Sequence, residues 1–421
     1  MSKRSTAGRL AETDALTLFP EGMAKGNSKA ARHAERVLLQ TVRSEICKVA
    51  AAHAAQVDED ARFPVEAFAA LKKAGLLGIM VPSELGGMEA PIRVIAEICS
   101  LLAQNCSSTG MCYAMHQIKA SSLVMHAMDD EWHRGFMRRM VAEQLLLGSA
   151  TTEGGGVGGD LRTSNCGIDA QGSVFALRKE GCLISYGIQA DAILITARRT
   201  PESPPSDQVM AVMTRDQYTL ELTQVWNTLG MRGTCSNNFT FEGAAPVEQV
   251  IPASFADIAA QSMLAYAHIL WAATWYGIAA NAVHRAETFV HAEARRRPGT
   301  VPPGAMRLAE LLNSLQQFRA LILASIDRYE QAKGDPDELS SISFVVALNG
   351  TKVSASEAAC DIIQHAFLIC GIHGYRNDSP HSLGRHLRDA MSSRIMINND
   401  RILGNVSNLL SVYKHNPSLA A

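Results

Sequence analysis

The chain holds no C-x-x-C pair, although nine cysteines are scattered along its 421 residues. Their odd number and irregular spacing argue against a disulfide framework or a zinc site and point to reduced thiols in the cytoplasm. A charge excess is also missing. Thirty-nine basic and 41 acidic residues leave a net charge of −2. No global field therefore draws this chain to nucleic acid or to an anionic membrane. The N-terminus shows no apolar segment followed by a small-residue cleavage site, so secretion is not expected. The strongest apolar run, residues 259–282, is interrupted by Gln261, Tyr266, His268, Trp271 and Trp275. That pattern suits a buried bundle helix better than a membrane span. What is present is 47% apolar and 19% charged residues, the profile of a compact chain of two or three domains that recognises partners in a pocket or an interface.

Periodicity divides the chain into four parts. Residues 1–30 are rich in Ser, Gly, Lys and Arg and read as a mobile tail. Residues 31–145 form a helical block: "ARHAERVLLQTVRSEICKVAAAHAAQV" and "FPVEAFAALKKAG" space their apolar residues for helices. Pro64 suits a first turn and Gly75 a helix end, and two further helices are expected near 92–104 and 109–127. Residues 146–252 change character, with strand-length runs such as "GSVFALRKEG", "CLISYG", "AILITARR", "VMAVMT", "YTLELTQV" and "NNFTFEG" between turn residues. Helical spacing returns over residues 253–421.

The loop "TTEGGGVGGD" at 151–160 satisfies G-x-G-x-x-G. A dinucleotide fingerprint requires a helix directly after the glycines, and "DLRTSNCGIDAQGS" is turn-like and leads into strands. The nicotinamide reading fails on context. A plain surface loop is one alternative. Bare backbone amides beside the hydroxyls and carboxylate of "SATTE" also suit a planar, carbonyl-rich or phosphate-bearing ligand.

Five ordered blocks resemble the acyl-CoA dehydrogenase superfamily over roughly residues 35–412. They are "FPVEAFAALKKAGLLGIMVPSELGG", "ATTEGGGVGGDLRTS", "CLISYGIQADAILITARR", "LGMRGTCSNNFTFEG" and "CGIHGYRNDSPHSLGRHLRDA". The resemblance implies an α+β multidomain fold: an N-terminal helical domain, a central β-barrel-like domain and a C-terminal four-helix bundle. It also implies bound FAD, an acyl thioester substrate such as an acyl-CoA, and a homotetramer or homodimer whose neighbouring subunits complete each flavin site. By the same match Thr151, Thr152 and Ser185 face the flavin ring, Ile184 counts among the cofactor contacts, and Gly158 and Gly159 lie near flavin or substrate. For Thr151 and Thr152 the plain alternative is ordinary strand-end hydroxyls. Gly371 and Gly374 fall in the terminal glycine block, and Arg296 of the triplet 295–297 could meet phosphate or simply form a solvated turn.

The departures are as informative. Family dehydrogenases abstract a proton α to a thioester carbonyl with a glutamate just after the R-D-A block. Here Ile397, Asn398 and Asn399 occupy that region, which makes Asn398 a catalytic candidate and Asn399 a cofactor contact. The second family location for a base holds Ala267 and His268. The remaining candidates are His268, His116 on a helix that the resemblance places beside the substrate, and Asp400, which could equally cap a helix. Structural roles compete for each histidine. His373, His381 and His386 lack metal-ligand spacing, and no metal site is expected.

Three functions follow from the resemblance. The first is an oxygen-using oxygenase or oxidase of secondary metabolism, which needs no glutamate in its usual role. The second is a dehydrogenase with a displaced base that passes electrons to an electron-transfer flavoprotein. The third is a non-catalytic flavin- or thioester-binding relative. The first is preferred.

Overall fold

The computed structural model describes residues 29–153, 161–414, 416 and 418. Apolar spacing in the first block produces α1 (Lys29–Thr41), α2 (Cys47–Glu59), α3 (Val65–Lys73), α4 (Ile92–Asn105), α5 (Ser107–His126) and α6 (Glu131–Glu143). A π turn, Val42–Ile46, joins α1 to α2 without a loop. The α6 helix starts at Asp130, whose carboxylate accepts the His133 amide and satisfies one of the orphan N–H groups of the first turn.

The middle of the chain supplies β1 (Leu147–Ala150), β2 (Asp169–Gln171), β3 (Val174–Ile184), β4 (Ala192–Arg198), β5 (Gln208–Thr214), β6 (Tyr218–Gln224) and β7 (Asn237–Pro246). One sheet has the order β1-β4-β5 with β1 parallel to β4, and the other is the antiparallel β2-β3-β7-β6. The two runs expected as separate strands, 172–181 and 182–187, correct to a single strand. The register of β3 against β7 shifts between Lys179 and Cys182, with Gly181 at φ 66°. Extra residues at a bulge break the period-two alternation, which reads in sequence as a strand end.

The last block comprises α7 (Phe255–Ile258), α8 (Leu264–Arg296), α9 (Ala305–Ala332), α10 (Pro336–Leu339), α11 (Ile342–Cys370), α12 (Ile372–Tyr375), α13 (Gly384–Ile395) and α14 (Asn399–Leu410). A second π turn, Ala259–Met263, leads into α8. The α8 helix is the hub, packed on α4, α5, α9 and α11. A Cβ at Gly277 would stand 2.3 Å from the Ser100 carbonyl oxygen, so α4 and α8 cross at a distance only glycine permits. The apolar run 259–282 makes up the second π turn and the first part of this hub, buried from Ser262 through most of its length. Among the described residues no helix is long and apolar enough to cross a membrane. The architecture is helical, then sheet, then helical, the α+β class expected.

Candidate functional site

The end of β1 and the end of β3 meet through hydroxyls. Thr152 Oγ1 accepts the Leu183 amide at 3.3 Å, and Thr151 Oγ1 lies 3.4 Å from Ser149 Oγ. Ser185 Oγ bonds Ser236 Oγ at 2.8 Å, Ser236 bonds Thr234 Oγ1 at 2.8 Å, and Thr234 donates to the Met231 carbonyl at 2.8 Å. The last bond sets the direction of the chain. With its proton given to Met231, Thr234 accepts from Ser236, and Ser236 accepts from Ser185. The Ser185 oxygen is left with lone pairs to offer, an acceptor at the rim. Ile184 is fully buried beside it, and Leu183 is 42% exposed. The structure thus brings Thr151, Thr152, Ile184 and Ser185 together. Gly158 and Gly159 lie outside the described residues.

Just beneath, Lys179 is 1% exposed and donates to the Ala150 carbonyl (3.1 Å), the Thr196 carbonyl (2.6 Å) and Thr196 Oγ1 (3.0 Å). Its ammonium also pairs with Glu153 at 3.3 Å. Glu153 accepts from Ser164 Oγ and, at 2.7 Å, from the Asn165 amide. Burial raises the Glu153 carboxyl pKa, but the Lys179 charge and these donors outweigh it and hold the carboxyl below its ordinary value.

The R-D-A block, Arg388 to Ala390, ties the three parts of the chain together. Asp389, 3% exposed, accepts the Met231 amide at 2.6 Å. Arg388 donates to Asp58 of α2 at 3.0 Å and to the Leu229 carbonyl at 2.8 Å. A Cβ at Gly230 would sit 2.2 Å from the Arg388 carbonyl oxygen, so this segment has room for glycine alone. Met231 (φ 52°) and Cys235 (φ 46°) are left-handed without being glycine, at either end of the turn that carries Thr234. Such backbone persists only where its surroundings hold it.

The expected acid/base groups are placed otherwise. His116 is fully buried: Nδ1 accepts the Leu147 amide at 3.0 Å, and Nε2 donates to the Leu77 carbonyl at 2.8 Å. Both ring nitrogens are committed to backbone, which corrects the expectation of a base. Burial keeps this ring neutral, with a pKa of about 4. His268 gives its Nδ1 proton to the Leu348 carbonyl at 3.0 Å, and burial lowers its pKa to about 4 as well. Asn398, not Asp400, caps α14: its Oδ1 accepts the Asp400 amide at 2.8 Å, and both side chains are exposed. Asn399 is buried in a network with Lys352, Ser356 and Glu357, so its amide is spent on protein partners. Lys352 donates to Asn399 Oδ1 (2.7 Å) and to the Ser393 and Ile397 carbonyls (3.0 Å each). Burial draws its ammonium down to about 8, with Glu357 opposing. Arg296 ends α8, exposed and paired with Glu293 at 2.7 Å. Gly371 (φ 55°) joins α11 to α12, and a Cβ at Gly374 would lie 3.0 Å from Cys370 Cβ.

The buried histidines predict acid lability. Their folded pKa values of about 4 lie below the ordinary 6.5, so only the unfolded chain takes up protons between those values. The stability they contribute is complete above pH 6.5 and lost as pH falls towards 4, by about 3 kcal/mol for each ring. Urea midpoints between pH 7 and 4 should fall accordingly, and His116→Gln should flatten part of the slope.

Sequence reasoning missed the three buried lysines 119, 179 and 352 and the Ser236–Thr234 relay. A lysine inside an otherwise core-like run, as in "MHQIKASSL" and "ALNGTKVSAS", was the available signal.

The fold and site define a helix–sheet–helix protein with a hydroxyl-rimmed edge where its three parts join. Two family models match: the acyl-CoA dehydrogenase N-terminal domain over residues 32–144 and the acyl-CoA dehydrogenase C-terminal domain over 258–404. The chain belongs to the acyl-CoA dehydrogenase superfamily. It is 24% identical over 376 residues to a cyclohex-1-ene-1-carbonyl-CoA dehydrogenase of Geobacter metallireducens, covering 87% of this chain and 95% of that one. It is 24% identical to the amino sugar nitrososynthase DnmZ of Streptomyces peucetius, over 80% of this chain and 84% of that one. The dibenzothiophene monooxygenase TdsC of Paenibacillus sp. A11-2, also solved with FMN bound, superposes with a TM-score of 0.76 at 18% identity, over 91% of this chain and 99% of that one.

Proposed function

We propose that this protein is an FAD-dependent oxidoreductase acting on an acyl thioester, most simply an acyl-CoA, and that it uses molecular oxygen. The observation that carries the oxygen reading is the occupancy of the two family base positions. Ile397, Asn398 and Asn399 stand in one, clamped by Lys352, and neutral His268 stands in the other. Neither position itself carries a carboxylate, and the neighbouring Glu357 is engaged by the Asn399 amide and by Arg394. The likeness to a nitrososynthase and a monooxygenase supports the same direction.

The residues present fit a flavin. Thr151, Thr152 and Ser185 present hydroxyls along one edge, Ser185 as an acceptor for a ring N–H, and exposed Leu183 offers an apolar face to the ring. Bound flavin supplies two-electron redox chemistry. Arg296, Gly371 and Gly374 are assigned to its nucleotide half, completed across a subunit boundary in a homotetramer. Exposed Leu368 on α11, Ile372 and Tyr375 on α12 and Ile395 on α13 support such burial. We place the domain boundaries near 145 and 252 and the protein in the cytoplasm.

A dehydrogenase that uses His268 is the second reading. With Nδ1–H held by Leu348, Nε2 keeps its lone pair, though burial makes it a weak base. The similarity to the CoA dehydrogenase of Geobacter favours this alternative.

The test starts with purified protein: release and identify the flavin, photoreduce it without air, then mix it with oxygenated buffer or with an electron-transfer flavoprotein. Rapid reoxidation by oxygen supports the proposal. Reoxidation only by the flavoprotein supports the dehydrogenase, and a colourless protein that rejects added FAD refutes both. Replacing Thr152 by Val together with Ser185 by Ala should weaken FAD binding about tenfold or more, read from fluorescence quenching on titrating the apoprotein.

A further inference from the structure

Three lysines are buried like core leucines: Lys119 and Lys179 at 1% exposure and Lys352 at 0%. An ammonium taken out of water needs oxygen acceptors to offset its lost hydration. Lys179 has three such acceptors and a carboxylate, and Lys352 has three. Lys119 has none among the described residues. Its one hydrogen-bond partner there is the Met263 thioether, 3.6 Å away, a weak acceptor for one of three N–H groups.

The location is specific. Lys119 lies on α5, which packs against β1 and against the π turn Ala259–Met263. A π turn adds a residue to a helical turn and recurs at functional sites. Here it carries Met263 opposite Lys119 and Ser262 opposite His126, 3.1 Å apart. Lys119 also feels the charge of Lys179, whose ammonium holds the Ala150 carbonyl where β1 gives way to Thr151 and Thr152. The under-coordinated ammonium thus faces the π turn from a helix that also packs against β1, the strand leading into the hydroxyl rim.

We propose that Lys119 determines specificity: its ammonium receives a carboxylate carried on the acyl group of the substrate. This rests on the thioester reading above and deepens it from an acyl thioester to one whose acyl chain ends in an anion. Burial and the Lys179 charge lower the Lys119 pKa to about 7, and an incoming carboxylate would restore the full charge and supply the missing oxygen acceptor. A saturated hydrocarbon chain would leave the ammonium unpaired, which disfavours simple fatty acyl groups.

The test uses flavin-loaded protein and two matched pairs of thioesters, succinyl-CoA with butyryl-CoA and adipyl-CoA with hexanoyl-CoA, titrated by flavin absorbance. Within each pair the carbon count is equal and only the terminal group differs. At least one dicarboxylic ester should bind about tenfold or more tightly than its partner. That ratio should collapse in Lys119→Met and survive in part in Lys119→Arg. Equal binding within both pairs, or a ratio unchanged by Lys119→Met, overturns the proposal. If no CoA ester binds, the thioester reading fails by itself, and free adipate decides by calorimetry. Heat in the wild type that disappears in Lys119→Met supports the carboxylate site, and no heat overturns it. Thermal melting separates a structural role: Lys119→Met should melt at the same temperature or higher, whereas a clear fall with unchanged discrimination overturns the inference.

Discussion

Lys179→Met should destabilise the sheet region by about 3–5 kcal/mol, because it strands four partners at once. The Ala150 and Thr196 carbonyls and Thr196 Oγ1 lose a donor, and Glu153, at 13% side-chain exposure, loses its counter-charge. Urea unfolding followed by fluorescence would show the change, with Lys119→Met as the opposite control. The pH dependence adds a second check. In the wild type the Glu153 carboxyl sits below its ordinary 4.5, so the stability it contributes is present above that pH and lost as pH falls through the folded value. Without Lys179, burial is left as the main influence on Glu153 and its pKa rises. The deficit of the variant should therefore shrink on mild acidification. Glu153→Gln in the Lys179→Met background should recover part of the loss at neutral pH, since the stranded charge is gone and the Ser164 and Asn165 contacts can be retained. A loss under 1 kcal/mol would mean that water reaches this ammonium.

How much of this could be read in advance depends on the range of the interaction concerned. The helix–sheet–helix order was legible because periodicity is local: residues 92–104 read as a helix and α4 spans Ile92–Asn105. The single β3 was not, because its bulge imitates a strand end. The hydroxyl edge was legible in part. Thr152 and Ser185 stood out by resemblance, while Ser236 and Thr234, some fifty residues further along, join them only through the register of β3 against β7. His116 shows the opposite failure. A histidine on an apolar helix looks chemically interesting, and nothing local reveals that Leu147 and Leu77 fill both its nitrogens. Asp389 belongs to a motif visible in the sequence, yet its mechanical task, holding the Met231 amide across 158 residues, exists only once the chain is folded.

Lys352→Met should cost about 3–5 kcal/mol and unfasten the turn between α13 and α14. Ile397 sits at φ 45°, a region that a β-branched side chain rarely occupies. Two things oppose its relaxation: the Lys352 bond to its carbonyl and the Asn398 cap on α14 directly after it. The same ammonium reaches Ser393 near the end of α13 and Asn399 at the start of α14, and it lies 5.8 Å from the Trp275 ring of α8. A methionine of similar length fills the space but supplies none of the three donors. The expected consequence is local before it is global. Amides in the first turns of α14 should exchange faster by hydrogen-exchange mass spectrometry, while α4 and α5 exchange as before. Lys352→Arg should not rescue, because a planar guanidinium does not fit three acceptors arranged around one nitrogen. Fast exchange in α14 together with unchanged flavin content would show that the clamp orders this turn without supporting the flavin. Unchanged exchange would show that Asn398 alone holds the strained turn.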